Sequence, residues 1–330
     1  AFTAYNTRIV APPHGSMLPM SPVRKNILMV ACALGLLIPV VIIFICENMN
    51  TRVRGRKDLE SVTVPFIGEI PLFTRKKKGI FRKKPQEVRA IVVKEGSRDI
   101  INEAFRVLRT NLEFMTGKDK ASNVIIVTSF NPGSGKSFLT MNIAVSFAIK
   151  GKKVLVIDGD LRRGSASSYI DSPTKGLSDY LGGRIDNLNE IIVTNPKQKY
   201  LDILPVGTIP PNPTELLFDD RLKQVIDTVR EQYEYVLIDC PPIELVADTQ
   251  IIEKLADRTI FVVRAGLLEL SMLAELEKIY GEKKYKNMSL ILNGTEGSGG
   301  RYGYRYGYRY GYHYGYGSEY HYGSDEKYIE

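Results

Sequence analysis

Three short clusters in this chain hold residue types suited to phosphate chemistry. The first is Ser129-Phe-Asn-Pro-Gly-Ser-Gly-Lys-Ser137, between an apolar run at 124–128 and a helical stretch at 138–148. Its glycines let backbone N–H groups converge on an anion at the positive end of the following helix. Asn131, Pro132, Gly133, Ser134, Gly135, Lys136, Ser137 and Phe138 are therefore the expected cradle of a nucleoside triphosphate, ATP. Lys136 reaches its outer phosphates and the Ser137 hydroxyl takes Mg2+. Phe130 stands where the usual G-x-x-x-x-G-K-[ST] spacing has its first glycine. The second cluster, Asp158-Gly-Asp160-Leu-Arg162, follows the apolar run 154–157, and the third, Asp239-Cys-Pro-Pro242, follows 236–238. One aspartate after a strand is often only a helix cap. Three such sites in one chain point to a nucleotide at the carboxyl edge of a parallel sheet.

The elements that must position these residues are set by periodicity. Strands at 124–128, 154–157, 236–238, 260–263 and 290–292 alternate with amphipathic helices at 138–148 and 216–230. They predict an α/β fold, a P-loop parallel sheet flanked by helices, over 98–296. Upstream, 27–46 holds no charged residue and matches the hydrocarbon thickness of a bilayer, so it reads as a transmembrane helix with Pro39 inside it. Basic residues are denser after this segment than before it, which places the rest of the chain in the cytoplasm. The stretch 47–97 carries basic runs at 52–57, 75–78 and 82–84, several prolines and glycines, and no sustained period. It reads as a juxtamembrane linker lying on anionic lipid. Residues 1–26 read as the end of an extracytoplasmic Pro-rich segment. The chain opens on Ala1 with no charged start or cleavage site, so a fragment without a signal peptide is expected. Residues 297–330 form a Tyr/Gly-rich repeat with no apolar face to bury, expected to be a disordered tail.

Composition sets limits. The 330 residues are 44% apolar, enough for a folded core, and the three cysteines form neither a disulfide framework nor a zinc spacing. A net charge of +8 would admit nucleic acid, but much of the excess sits beside the apolar segment. In the tail, Arg301, Arg305, Arg309 and Lys327 are offset by Glu319, Asp325, Glu326 and Glu330. No nucleic-acid partner is expected.

Together the P-loop, the D-x-D-x-R site at 158–162 and the D-x-P-P site at 239–242 resemble the bacterial tyrosine kinase (BY-kinase) family over about 98–330. The proline-containing helix and the Gly-Glu-Ile-Pro segment at 68–71 resemble the end of the membrane part of polysaccharide co-polymerases. The resemblance implies an inner-membrane tyrosine autokinase that uses MgATP and regulates capsule or exopolysaccharide polymerisation and export. Its implied partners are that machinery and a tyrosine phosphatase. It also implies that Lys136 and Ser137 hold ATP and magnesium, with Asp160 and Asp239 completing the metal's shell. Asp158 is the expected base for the tyrosine proton, in a role exchangeable with Asp160. Histidine is not a candidate, since His14, His313 and His321 all lie outside the nucleotide domain.

Glu103, Arg106 and Arg109 match the family's E-x-x-R-x-x-R motif, which implies a ring-like homo-oligomer; steps of three keep them on one helix face. The expected phosphoacceptors are Tyr302, Tyr304, Tyr306, Tyr308, Tyr310, Tyr312, Tyr314, Tyr316, Tyr320, Tyr322 and Tyr328, eleven of the chain's nineteen tyrosines. Two other readings use the same fold. A ParA- or MinD-like positioning ATPase would use water as acceptor, but its loop usually carries an extra lysine where Asn131 stands here, and it leaves the tyrosines without a role. A catalytically silent assembly scaffold would have no use for Lys136, Ser137 and the three aspartates.

Overall fold

The computed structural model describes residues 24–73, 90–116, 123–244 and 247–296. The chain divides into two units, at Ala1–Thr51 and Arg52–Glu330. In the first, helix α1 (Arg24–Asn48) runs through Pro39. Its segment Arg24–Ile45 is 22 residues long, its most apolar 18 residues have a mean hydropathy of 3.0, and it is exposed all round, long and apolar enough to cross a bilayer by length and composition.

The second unit is a sheet between two helical layers. Its elements in chain order are β1 (Phe66–Pro71), α2 (Ile100–Thr116), β2 (Val124–Thr128), α3 (Lys136–Ile149), β3 (Val154–Asp158), α4 (Leu177–Leu181), β4 (Val193–Thr194) and β5 (Leu201–Leu204). They continue with α5 (Pro213–Leu217), α6 (Asp220–Gln232), β6 (Tyr235–Asp239), α7 (Asp248–Glu253), β7 (Arg258–Arg264), α8 (Met272–Gly281) and β8 (Met288–Thr295). The strand order is β1-β8-β7-β2-β6-β3-β5-β4, and every pairing is parallel except β4 with β5. Strands β2 and β3 are buried at every position, as strands covered on both faces must be. One face packs on α2 and α3 through Phe105, Leu108, Leu139 and Phe147; the other packs beneath α6 and α8 through Leu222, Val225, Leu276 and Ile279.

Two expectations need correction. The helix expected over 216–230 is two helices, because Asp219 takes an extended conformation and its side chain accepts from Arg221 N (2.8 Å), capping α6 and ending α5. The stretch 47–97, expected as a linker, contributes an edge strand. Its Gly-Glu-Ile-Pro segment lies in β1, parallel to β8, with Ile67 and Ile70 buried. Asn111 of α2 donates to Ile67 O (2.7 Å), and Val53, fully buried, exchanges backbone hydrogen bonds with Leu268 and Gly266. Prolines at both ends of 65–71 obscured a strand that tolerates them because it lies at the sheet's edge. The tail 297–330, with every expected phosphoacceptor, lies outside the described residues, as do 1–23 and 74–89 of the upstream segments.

Candidate nucleotide-binding site

The strand order brings the three clusters together. β6 lies between β2 and β3, so Val127 pairs with Asp239 and Asp239 with Asp158 at the carboxyl ends of adjacent strands. The turn from β2 to α3 closes over this edge. Gly133 and Gly135 have φ of 77° and 86°, and a Cβ on Gly135 would sit 2.2 Å from Asn293 Nδ2. Only glycine fits there. Asn293, from β8, donates to Ser134 O (2.8 Å), while Ser129 and Ser134 both donate to Asn131 O at 2.8 Å. The loop is therefore pre-shaped by side chains on both sides. Phe130, in place of a glycine, has no positive φ; its ring is buried against Phe261 at 4.9 Å, edge to face. That position needs no glycine here, and the aromatic ring anchors the loop instead.

A cavity of about 400 Å³ opens above the loop. Of the expected cradle, Pro132, Gly133, Gly135, Lys136, Ser137 and Phe138 line it, together with Asp160 and Asp239. Asn131 turns aside to Glu244 (3.2 Å), and Ser134 lies buried beneath. Lys136 is buried and donates to Ser129 Oγ at 3.3 Å; desolvation lowers its pKa, against the attraction of Asp239 and Asp160. Burial and the nearby Asp158 charge push Asp239 up to about 8, partly offset by Ser137 and Lys136. Neither Asp239 carboxylate oxygen makes a full hydrogen bond, although the Ser137 hydroxyl is close enough to lower its pKa.

Asp158 differs from the position expected of a base. It is fully buried and absent from the cavity wall, its Oδ2 accepting from Ser167 N (2.6 Å) and Ser167 Oγ (2.7 Å). Desolvation raises it to about 6. Asp160, two residues on, reaches the cavity and is also raised, again chiefly by burial. Gly159 between them sits in a tight spot, since a Cβ there would meet Ile238 and Asp239 O at 3.0 and 3.1 Å and push them aside.

Orphaned carboxylate oxygens beside a lysine fit a magnesium–triphosphate ligand. Among the described residues no group of three or more His, Cys, Asp or Glu could hold a metal by itself. A cation here would need oxygens from a phosphate, which is how magnesium is held in nucleotide sites.

Sequence reasoning missed several members of the site. Arg163, Tyr169, Arg264 and Asn293 line the cavity, whereas Arg162, the arginine of the motif, points to Asp248 (3.1 Å) and Thr214 (2.9 Å) instead. Arg264 and Asn293 lie at the carboxyl ends of β7 and β8, so a scan of strand termini for polar residues was the signal available. Of the α2 triplet, Glu103 and Arg106 pair with each other, and Arg109 donates to Ser146 O (2.8 Å) on α3 of the same chain.

A glycine-rich turn between a buried strand and a helix, with aspartates ending neighbouring parallel strands, defines a P-loop nucleotide-binding domain. Residues 122–290 match the family model AAA_31, an AAA domain. The tyrosine-protein kinase YwqD of Bacillus subtilis is 35% identical over 209 residues, covering 63% of this chain and 87% of that protein. Tyrosine-protein kinase Etk of Escherichia coli K12 is 32% identical over 274 residues, covering 79% of this chain and 37% of its own length. The solved kinase domain of E. coli ETK superposes with a TM-score of 0.64 at 29% identity, covering 80% of this chain and all of that domain. The chain belongs to the bacterial tyrosine kinase family. It spans 36% to 40% of the length of the longer curated relatives it matches.

Proposed function

We propose that this chain is an ATP-dependent protein-tyrosine autokinase that phosphorylates its own tail tyrosines and thereby regulates capsule or exopolysaccharide polymerisation and export at the inner membrane. The observation that carries the reading is the unpartnered Asp239 carboxylate, set beside Lys136 and Ser137 in a cavity at the strand ends. Ser137 and Asp239 would hold magnesium, which would neutralise charge on the transferred phosphoryl group. The P-loop amides and Lys136 orient the triphosphate.

Asp160, rather than Asp158, accepts the phenol proton, because it faces the cavity and its burial raises its basicity. As the tyrosine oxygen bonds to the γ-phosphorus, the bond to the ADP oxygen breaks and the proton passes to Asp160. Asp158, held by Ser167, is a positioning residue whose charge raises Asp239 from behind. The acceptors are the eleven tyrosines from Tyr302 to Tyr328. Helix α1 supplies the membrane span, with the second unit cytoplasmic, where ATP is available. Self-association through Glu103 and Arg106 would bring one chain's tail to a neighbour's cavity, and a tyrosine phosphatase would reset the tail.

The test is phosphotyrosine mass spectrometry on the full chain with MgATP, beside Lys136→Met and a form cut before Arg301. Tail phosphate that vanishes with Lys136→Met is the expected result. ATP hydrolysis without phosphotyrosine would replace this reading with a positioning ATPase.

A further inference from the structure

The opposite, amino-terminal edge of the sheet holds a second cavity of about 600 Å³, where β7 and β8 begin and the turn after α8 passes over them. Its wall carries Arg258, Lys283 and Lys286, with Tyr280, Met115 and Met288 among the apolar surfaces and no aspartate or glutamate. Arg258 is its least satisfied member. Its Nε is out of contact with water and without a partner, and among the described residues its guanidinium makes no ion pair or hydrogen bond. The adjoining carboxylate is already engaged, since Asp257 Oδ2 accepts from Arg230 (2.6 Å) and from Val124 N (2.8 Å). Burial accordingly lowers the pKa of the Arg258 guanidinium.

The two lysines leave donors free. Lys286 Nζ donates to Lys254 O (2.7 Å) and Ala256 O (3.1 Å), which leaves one of its three protons unused. Lys283 is exposed, on a turn where its φ is 52°. A partly desolvated guanidinium whose Nε is buried without a hydrogen-bond partner, and whose neighbouring Asp257 carboxylate attracts it but is bonded elsewhere, is costly unless an anion completes it. Three cationic residues lining one cavity with an aromatic and two thioether side chains suit a phosphate carried on a ring.

We infer that this cavity binds a phosphotyrosine of the chain's own tail, with Arg258, Lys283 and Lys286 meeting the phosphate and Tyr280, Met115 and Met288 flanking the ring. The tail holds eleven tyrosines that could carry such a group. β8 carries the chain about 26 Å away from this cavity over its eight residues. Tyr316 lies about 20 residues past Thr295, and a glycine-rich segment of that length spans about 25 Å. The inference rests on the tail being a phosphoacceptor. It assigns the product of that reaction a docking place on the far side of the sheet from the nucleotide.

The experiment is fluorescence anisotropy with a synthetic peptide of residues 306–316 carrying phosphate on Tyr312, titrated with phosphatase-treated full chain in detergent. Binding is expected to be absent for the unphosphorylated peptide and to weaken with salt. Arg258→Gln and Lys283→Glu should each cost about tenfold or more in affinity, with nucleotide binding at the opposite edge unchanged as the measure of folding. Lys283 is exposed, so its variant keeps the test decisive if Arg258→Gln does not fold. Absence of binding, or binding insensitive to both substitutions, would overturn the inference. So would competition by inorganic phosphate as strong as by the phosphotyrosine peptide, which would make this a free-anion site. Because the peptide is synthetic, a chain that makes no phosphotyrosine from MgATP would refute the kinase reading without deciding this one.

Discussion

The carboxyl edge of the sheet and the outer face of α2 both gather charged side chains, and they hold them in opposite ways. At the edge, Lys136, Asp158, Asp160 and Asp239 are taken out of water, and Asp239 has no partner for either oxygen. On α2, Glu103 pairs with Arg106 in the open, and Arg109 reaches Ser146 through one guanidinium nitrogen while its Nε is buried without a partner. Charging a buried group that has no partner costs several kcal/mol, so Asp239 keeps its proton up to about pH 8 in the nucleotide-free protein and gains most when a cation arrives. An exposed pair contributes about 0–1 kcal/mol. Such a pair gains meaning only when a second surface meets it.

The comparison can be broken most sharply at Lys136. Lys136→Met should lower tail phosphorylation by about 10³-fold while leaving the melting temperature near that of the wild type, as read by phosphotyrosine mass spectrometry beside thermal unfolding. Comparable loss from Glu103→Ala under conditions where the chain is monomeric would erase the distinction between the two regions.

Asp239→Asn should lower phosphorylation by about 10²-fold yet stabilise the nucleotide-free protein. The sign is fixed by linkage. The Asp239 carboxyl titrates near 4 when unfolded and at about 8 in the fold, so between those values the native state holds a proton that the unfolded state has lost. Stability therefore falls as pH rises through that window. Melting curves without nucleotide at pH 6 and pH 9 should show the wild type losing more stability than the variant. An equal or larger loss in the variant would mean that Asp239 is not the strained charge.

Asn293→Ala sharpens the same contrast without touching a charge. It leaves the buried Ser134 carbonyl without its donor, at about 1–3 kcal/mol, and should weaken nucleotide binding about tenfold in a titration with a labelled ATP analogue. The smallest effects belong to α2. Arg109→Ala should cost about 1 kcal/mol in urea denaturation through the Ser146 contact. Glu103→Ala and Arg106→Ala should each stay within about 0.5 kcal/mol and show instead in the mass measured by light scattering. Unchanged mass in all three would remove α2 from the self-association surface.

Much of the site was legible because its strands are short, apolar and bounded by the residues that act. The run 124–128 matches β2 residue for residue, and 154–157 and 236–238 end one residue short of the aspartates that close β3 and β6. β1 was hidden, because an edge strand with prolines, a glycine and a glutamate has no clean alternation. Asn293 and Arg264 were hidden for a different reason. Each stands at a strand end outside any motif, and nothing in its local spacing connects it to a loop more than a hundred residues earlier in the chain.

The sequence by itself determined the phosphate-binding turn, the two aspartate clusters, the apolar helix and the tyrosine-rich end, since each is encoded within a few neighbouring residues. Tertiary structure alone decided which carboxylate faces the cavity, that Arg163 rather than Arg162 lines it, that Phe130 is an anchor, and that Arg258 Nε is buried without a hydrogen-bond partner. Those outcomes depend on strand order, which places residues 127, 158 and 239 side by side, and on burial, which sets the energy of each charge. Neither is a property of local sequence.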